Sequence, residues 1–214
     1  LYLSRIATSN VVEFGMRSNF RYDRLKHAAL IDQIRPYIID HNANENVRIE
    51  AMFIAEACFL QELGASLVDV ALNVKETINI RSMAAFVVSR IAESSERARL
   101  KALIHEDDID SVDQIRGYAL TATWPEHLTA EELFSVLTPP KRSNYAGGYT
   151  GFLSEKLVPG LNPSDLPLAL QWVLEQPEER RHLAPRFEQL PDNILRYAWA
   201  NIETPGVLEL FAKI

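Results

Sequence analysis

The sequence predicts an all-α chain, an α-solenoid of about five stacked two-helix units that turns irregular in its C-terminal third. A phrase recurs as Val47-Arg48-Ile49-Glu50-Ala51, Ile80-Arg81-Ser82-Met83-Ala84 and Ile115-Arg116-Gly117-Tyr118-Ala119, at periods of 33 and 35 residues. Steps of four from each arginine give Arg48-Met52-Glu56, Arg81-Ala85-Ser89 and Arg116-Leu120-Trp124, three equivalent stripes on one helix face. The opposite face is apolar and small, with Val47, Ala51, Ile54, Ala55 and Cys58 matched by Ile80, Ala84, Val87, Val88 and Ile91. No alternating apolar run is flanked by hairpin turn signals, so no strand is expected.

Each phrase opens the inner, packed helix of a pair, and an outer helix precedes it. The outer helices close at Ala71-Leu72, Leu103-Ile104 and Val136-Leu137, again one period apart. A two-helix unit cannot bury its own apolar face, so stacked units share a continuous core.

Ile6, Val11, Val12, Phe14 and Met16 suggest the end of an earlier unit, and the first full unit runs from Asp23 to Gln61. Its outer helix carries Leu25, Ala29, Leu30, Ile34 and Ile38, with Pro36 near the end where a kink is tolerated. The second unit spans Glu62 to Glu93 and the third Ser94 to Trp124. Ser111 with Gln114, and Thr129 with Glu132, have the spacing of capping boxes that start helices. From Thr138-Pro139-Pro140 through Gly147-Gly148 the pattern breaks, and nine of the eleven prolines lie from Pro139 onward. The division expected is therefore 1–138 as regular repeats and 139–214 as their irregular continuation in the same solenoid. Tyr145, Tyr149, Phe152, Leu153 and Leu157 form the apolar face of a fourth inner helix. Asn162-Pro163-Ser164-Asp165 caps a helix through Leu166, Leu170, Val173 and Leu174. A last inner helix is expected over Ile194 to Ile202, after an irregular stretch from Glu178 to Pro191. Thr204-Pro205 opens a terminal helix.

These residues resemble HEAT-like repeats, whose second helix opens with an apolar-Arg pair like Val47-Arg48, Ile80-Arg81 and Ile115-Arg116. The aspartate usual in that family six residues before the arginine is matched by Asp110, with Asn42 and Lys75 in the other two positions. A second likeness is carried by Ala122-Thr123-Trp124-Pro125-Glu126-His127-Leu128-Thr129-Ala130-Glu131-Glu132-Leu133-Phe134, then Leu137-Thr138-Pro139-Pro140 and Asn144-Tyr145, together with Ile194 to Ile214. It is similar to the helical C-terminal region of large bacterial NACHT-type (STAND) signal-transduction ATPases. That resemblance implies a sensing or autoinhibitory repeat array whose nucleotide site lies in a separate domain.

The chemistry-bearing residues fit no enzyme pattern. Gly147-Gly148-Tyr149-Thr150-Gly151 lacks the lysine-hydroxyl pair of a phosphate-binding loop and reads as a turn and helix entry. His105-Glu106-Asp107-Asp108 with Asp110 reads as a solvated acidic loop rather than a metal centre. The five histidines, His27, His41, His105, His127 and His182, lie near no nucleophile turn. Cys58 is the single cysteine, a small buried hydrophobe. No disulfide framework is possible, which suits a cytoplasmic, reducing setting. There is no charged leader before an apolar run, and no uncharged run reaches the length of a membrane span. The chain stops in an amphipathic helix with no polar cap after it, as a piece of a longer chain would.

The function expected is a noncatalytic helical-repeat segment of a larger bacterial protein, a protein-interaction or ligand-sensing scaffold without cofactor or metal. Its partner would be a protein or a neighbouring domain of the chain. The partner-facing residues expected are the column Arg48, Arg81 and Arg116 with Trp124, plus Lys141, Arg142 and Tyr145 in the interruption, since loops that break a regular array often carry function. The alternative is a nucleic-acid-binding repeat that uses the concave arginine column Arg48, Arg81 and Arg116; a groove built from Arg17, Arg21, Arg24 and Lys26, and Arg90, Arg97, Arg99 and Lys101, would need these groups to converge on one face. The net charge of -7 argues against a general phosphate-binding surface.

Overall fold

The computed structural model describes residues 21–105, 110–142, 145–176 and 185–214, and these are helical, with no strand among them. The expectations for Ile6 through Met16, for Arg17, for Glu106 to Asp108, for Asn144 and for His182 fall outside the described residues. Two compact units divide the chain, one through Leu100 and the other from Lys101. The change of composition at Pro139 thus lies inside the second unit rather than between the two.

In the first unit, α1 (Leu30–Ile39) and α2 (Glu45–Ala57) form one pair, and α3 (Gly64–Leu72) and α4 (Ile78–Ile91) the next. Outer packs on outer and inner on inner, α1 against α3 and α2 against α4, while α3 also packs along α4. The helix starts are set by side chains: Asn44 accepts from the Asn46 amide and Thr77 from the Ile80 amide. Pro36 sits in the last turns of α1, as its position in the sequence allows. A short helix, α5 (Ser94–Arg99), is opened by a reciprocal Glu93/Glu96 capping box and runs on into a 3-10 turn, Leu100–Leu103.

In the second unit, α6 (Gln114–Thr123) packs on α8 (Gly148–Gly151), which continues as a π-helical turn over Phe152–Lys156. The outer helices are α7 (Ala130–Val136) and α9 (Leu166–Glu175), packed on each other. Thr129 and Glu132 form the capping box that their spacing predicts, and Asn162 with Asp165 forms another before α9. Then follow α10 (Pro185–Ala200) and α11 (Val207–Phe211).

Three helix ends differ from expectation. Ser111 does not cap α6; the carboxylate of Asp110 does, accepting from the amides of Gln114 at 2.8 Å and Arg116 at 3.2 Å. The last long helix starts at Pro185 and passes through Pro191, because the stripe Phe187, Leu190, Ile194 and Ala198 is buried and outweighs one missing backbone bond. The terminal helix is entered through Gly206 at φ 82°, a left-handed conformation that glycine adopts without strain, and not through a Thr204 cap.

Within each unit, side chains bond to partners about one repeat away. In the first, these are Arg35 to Ser66, Glu45 to Thr77, Arg48 to Glu76 and Arg99 to Asp69. In the second, they are Lys101 to Glu132, Gln114 to Gly148, Trp124 to the Leu157 carbonyl and Arg186 to Ser154. The separations run from 28 to 34 residues.

Candidate functional site

The recurring arginines are interior residues. Arg48, Arg81 and Arg116 are only 2%, 1% and 6% exposed, and Met52, Ala85 and Leu120 one turn on are fully buried. The arginine stripe is therefore not a solvent-facing column. The three guanidinium groups are engaged inside the protein rather than displayed along an outer face. Their physical task is visible in their bonds. The last carbonyls of a helix lack intrahelical donors. Arg48 donates through Nε and Nη2 to the Ile38 carbonyl at the end of α1, at 3.2 and 3.0 Å, and Arg81 donates to the Ala71 carbonyl at the end of α3, at 2.9 Å. Arg48 also forms a two-pronged ion pair with Glu76 at 2.5 and 2.8 Å, with both side chains almost fully buried.

This pair floors a groove of about 430 Å³ in the first unit, lined by His41, Glu45, Arg48, Lys75, Glu76 and Thr77 among others. Glu45 is committed to the next helix start, accepting from Thr77 Oγ1 and Asn79 Nδ2 at 3.0 Å each. The arrangement stitches two helix openings together. Sequence reasoning missed Glu45, Glu76 and Asn79; the signal available was their position beside successive helix starts, one period apart.

The second unit holds the interruption. Arg116 donates to the Val136 carbonyl at the end of α7 and to Thr138 Oγ1 at 2.8 Å, and its guanidinium lies 4.9 Å from the ring centre of Tyr149. The Tyr149 hydroxyl donates to the Thr138 carbonyl at 2.7 Å and accepts from its amide at 3.1 Å; burial pushes this phenol above its ordinary range. Lys141 is tied down as well. Its amide donates to Asp113 Oδ2 at 2.8 Å and its ammonium to the Asp110 carbonyl at 3.0 Å, with Asp113 Oδ1 at 3.7 Å. Asp113 is buried at φ 57°, in the left-handed region that a short polar side chain tolerates. Tyr145 is exposed, yet its hydroxyl accepts from Gln114 Nε2 at 2.8 Å, while Gln114 Oε1 accepts from the Gly148 amide. Trp124 is buried with its indole N–H on the Leu157 carbonyl, as a residue that joins successive helices.

Of the seven partner-facing residues that the sequence suggested, the structure brings Arg116, Lys141 and Tyr145 into one polar cluster around the N-terminus of α6. It leaves Arg142 exposed on the same loop. Gly117 makes this cluster possible: a Cβ there would fall inside the Tyr149 backbone, so α6 and α8 touch main chain to side-chain-free main chain.

Four of the cations that the nucleic-acid alternative needs are paired with acids of the same unit: Arg21 with Asp23, Arg90 with Glu56, Arg99 with Asp69 and Lys101 with Glu132. Cys58 is buried, its thiol donating to the Tyr22 carbonyl, and burial raises its pKa, which lowers its thiolate fraction. Among the described residues no cluster of His, Cys, Asp or Glu has the arrangement to hold a metal ion. No helix among them is long and apolar enough to cross a membrane. Comparison with family models, with curated proteins and with solved structures gave no match for this chain. The class that the structure defines, over the described residues, is an all-α protein.

Proposed function

We propose that the chain is a noncatalytic, HEAT-like α-solenoid segment of a larger bacterial protein, serving as a protein-interaction or ligand-sensing scaffold. The observation that carries this reading is the series of side-chain bonds one repeat apart in both units, with inner arginines closing the ends of outer helices. Nearest-neighbour bonding at a fixed period is how a repeat array holds itself together. Two of the buried polar side chains, Arg48 and Asp113, are engaged in such bonds, with Glu76 and with the Lys141 amide. The likeness of 122–145 to the helical region of NACHT-type ATPases supports a sensing role, in the cytoplasm, beside a nucleotide-binding domain.

The exposed remainder of the interruption, Arg142 with the outer edge of Tyr145, is the partner-contacting part of this proposal. Replacing Lys141 or Tyr145 also loosens the loop, so Arg142→Glu is the cleaner probe: it should leave melting within about 0.5 kcal/mol of the parent and weaken signalling or partner capture by the full-length protein. Unchanged signalling would make the loop a connector. Far-ultraviolet circular dichroism of the segment should be strongly helical, and magnesium-dependent ATP turnover by the segment alone would sink the scaffold reading. Salt-sensitive DNA or RNA retention in a low-salt gel shift would favour the nucleic-acid alternative instead, against which the acid-paired cations speak.

A further inference from the structure

We propose that the apolar face shared by α10 and α11 is the docking surface for one more amphipathic helix of the inner type, related to α10 and α11 as α4 is to α2 and α3. The proposal rests on the repeat-array reading. Within the first unit, α4 seats itself on two supports at once, its own outer helix α3 and the preceding inner helix α2. Within the second, α10 does the same on α9 and on the π-helical turn before it. The terminal helix α11 packs on α9, as α3 packs on α1 and α9 on α7, so it takes the place of an outer helix. The groove between α10 and α11 is then the place that an inner helix fills in both earlier instances.

The side chains flanking that groove are apolar and uncovered. Trp199 of α10 is 67% exposed, while the other two tryptophans, Trp124 and Trp172, are buried. Its ring lies 5.6 Å from that of Phe211 on α11, and Leu208, one turn earlier on α11, is 64% exposed. An exposed indole and an exposed leucine on one packed helix pair mark an interaction face. Continuity with the stacking inside each unit names the occupant's chemistry. It is a helix with a stripe of small and β-branched residues like Ile80, Ala84, Val87 and Val88, and an arginine near its start to bond the last carbonyls of α11, as Arg48 and Arg81 do for α1 and α3.

The test extends the chain by a copy of its own inner helix, residues 73–91, joined after Ile214, so that tethering holds the helix at roughly millimolar effective concentration. Acrylamide quenching of Trp199 should then fall about fivefold with a blue shift in emission, and Leu208→Glu in the extended chain should restore the exposure. A helical extended chain in which Trp199 stays as accessible as in the parent overturns the proposal alone. So does a parent that dimerises in sedimentation velocity, with Trp199 protected and Leu208→Glu releasing it, since the occupant is then a second copy. A parent without a helical circular dichroism spectrum overturns the array reading and this proposal together.

Discussion

Arg48 and Arg116 stand in the same phrase, at the start of equivalent helices, and do different things. Arg48 reaches back to the end of the outer helix of its own pair and forward to a buried carboxylate. Arg116 reaches only forward, to the end of α7 and the first hydroxyl of the interruption, and rests on an aromatic ring. In the first unit the arginine closes an ion pair; in the second it anchors a loop. The difference teaches that a repeat phrase specifies a buried donor, while the acceptor is whichever helix end or loop the tertiary packing presents. The aspartates complete the contrast. Asp110 caps α6 and Asp113 holds the Lys141 amide, so the loop is bound to the helix start from both sides.

The comparison can be broken most forcefully at Arg48. Arg48→Met strands the buried Glu76 carboxylate and the Ile38 carbonyl, and should lower urea-unfolding stability by about 3 to 5 kcal/mol. The double variant with Glu76→Met should recover much of that loss, because no uncompensated charge remains. If the single and double variants lose the same stability, the ion pair is not what distinguishes this unit. Arg116→Met leaves no carboxylate behind and should cost less, about 2 to 3 kcal/mol, from the bonds to Val136 and Thr138 and the ring contact. A larger loss than at Arg48 would reverse the ranking of the two units.

Glycine sharpens the same contrast by steric means. An added methyl at Gly117 meets the Tyr149 backbone, and Gly117→Ala should cost roughly 1 to 3 kcal/mol or more in thermal melts by pushing α8 away from α6. At Gly64 the methyl meets only the end of the Glu96 side chain; moving it gives up the bond from the Glu93 amide, which the better helix propensity of alanine offsets in part, so Gly64→Ala should stay within about 1 kcal/mol of the parent. Equal losses would show that helix approach is no tighter in the second unit.

The smallest effect is a pH dependence. The Lys101 ammonium on Glu132, helped by the Thr129 amide, holds the Glu132 carboxyl below its usual range. A depressed folded pKa means stabilisation that is present above the unfolded carboxylate pKa, about 4.3, and is lost as pH falls through the folded value. Lys101→Met should therefore flatten the stability profile slightly on the acid side and change nothing in slope near neutrality. Melting curves from pH 3 to 7 would show it, and an unchanged acid limb in the variant would remove Lys101 as the cause.

Much of the helical content was legible because period and capping are local. The Thr129/Glu132 box, the Asn162 cap, the helix ends at Leu72 and Val136 and the small apolar face of Ala51, Ala55 and Ala84 all follow from spacing and from which side chains can reach nearby amides. The candidate site was legible only as a set of names. Sequence marked Arg116, Lys141 and Tyr145, but arginines that recur one period apart look the same whether they face water or the end of a neighbouring helix. Burial decides that, and burial depends on where α1, α3 and α7 end against α2, α4 and α6.

What the sequence determined by itself was helix, period and some of the helix starts, such as Thr129 with Glu132 and Asn162, because these depend on contacts within a few positions along the chain. What only the tertiary structure decided was the acceptor of each arginine, the passage of α10 through Pro191 and the locking of the interruption onto α6. Each of these joins groups far apart in the chain or sets a local cost against buried area. The free energy that settles them, desolvation of a guanidinium or of an apolar stripe, has a value only once the neighbouring helix is in place.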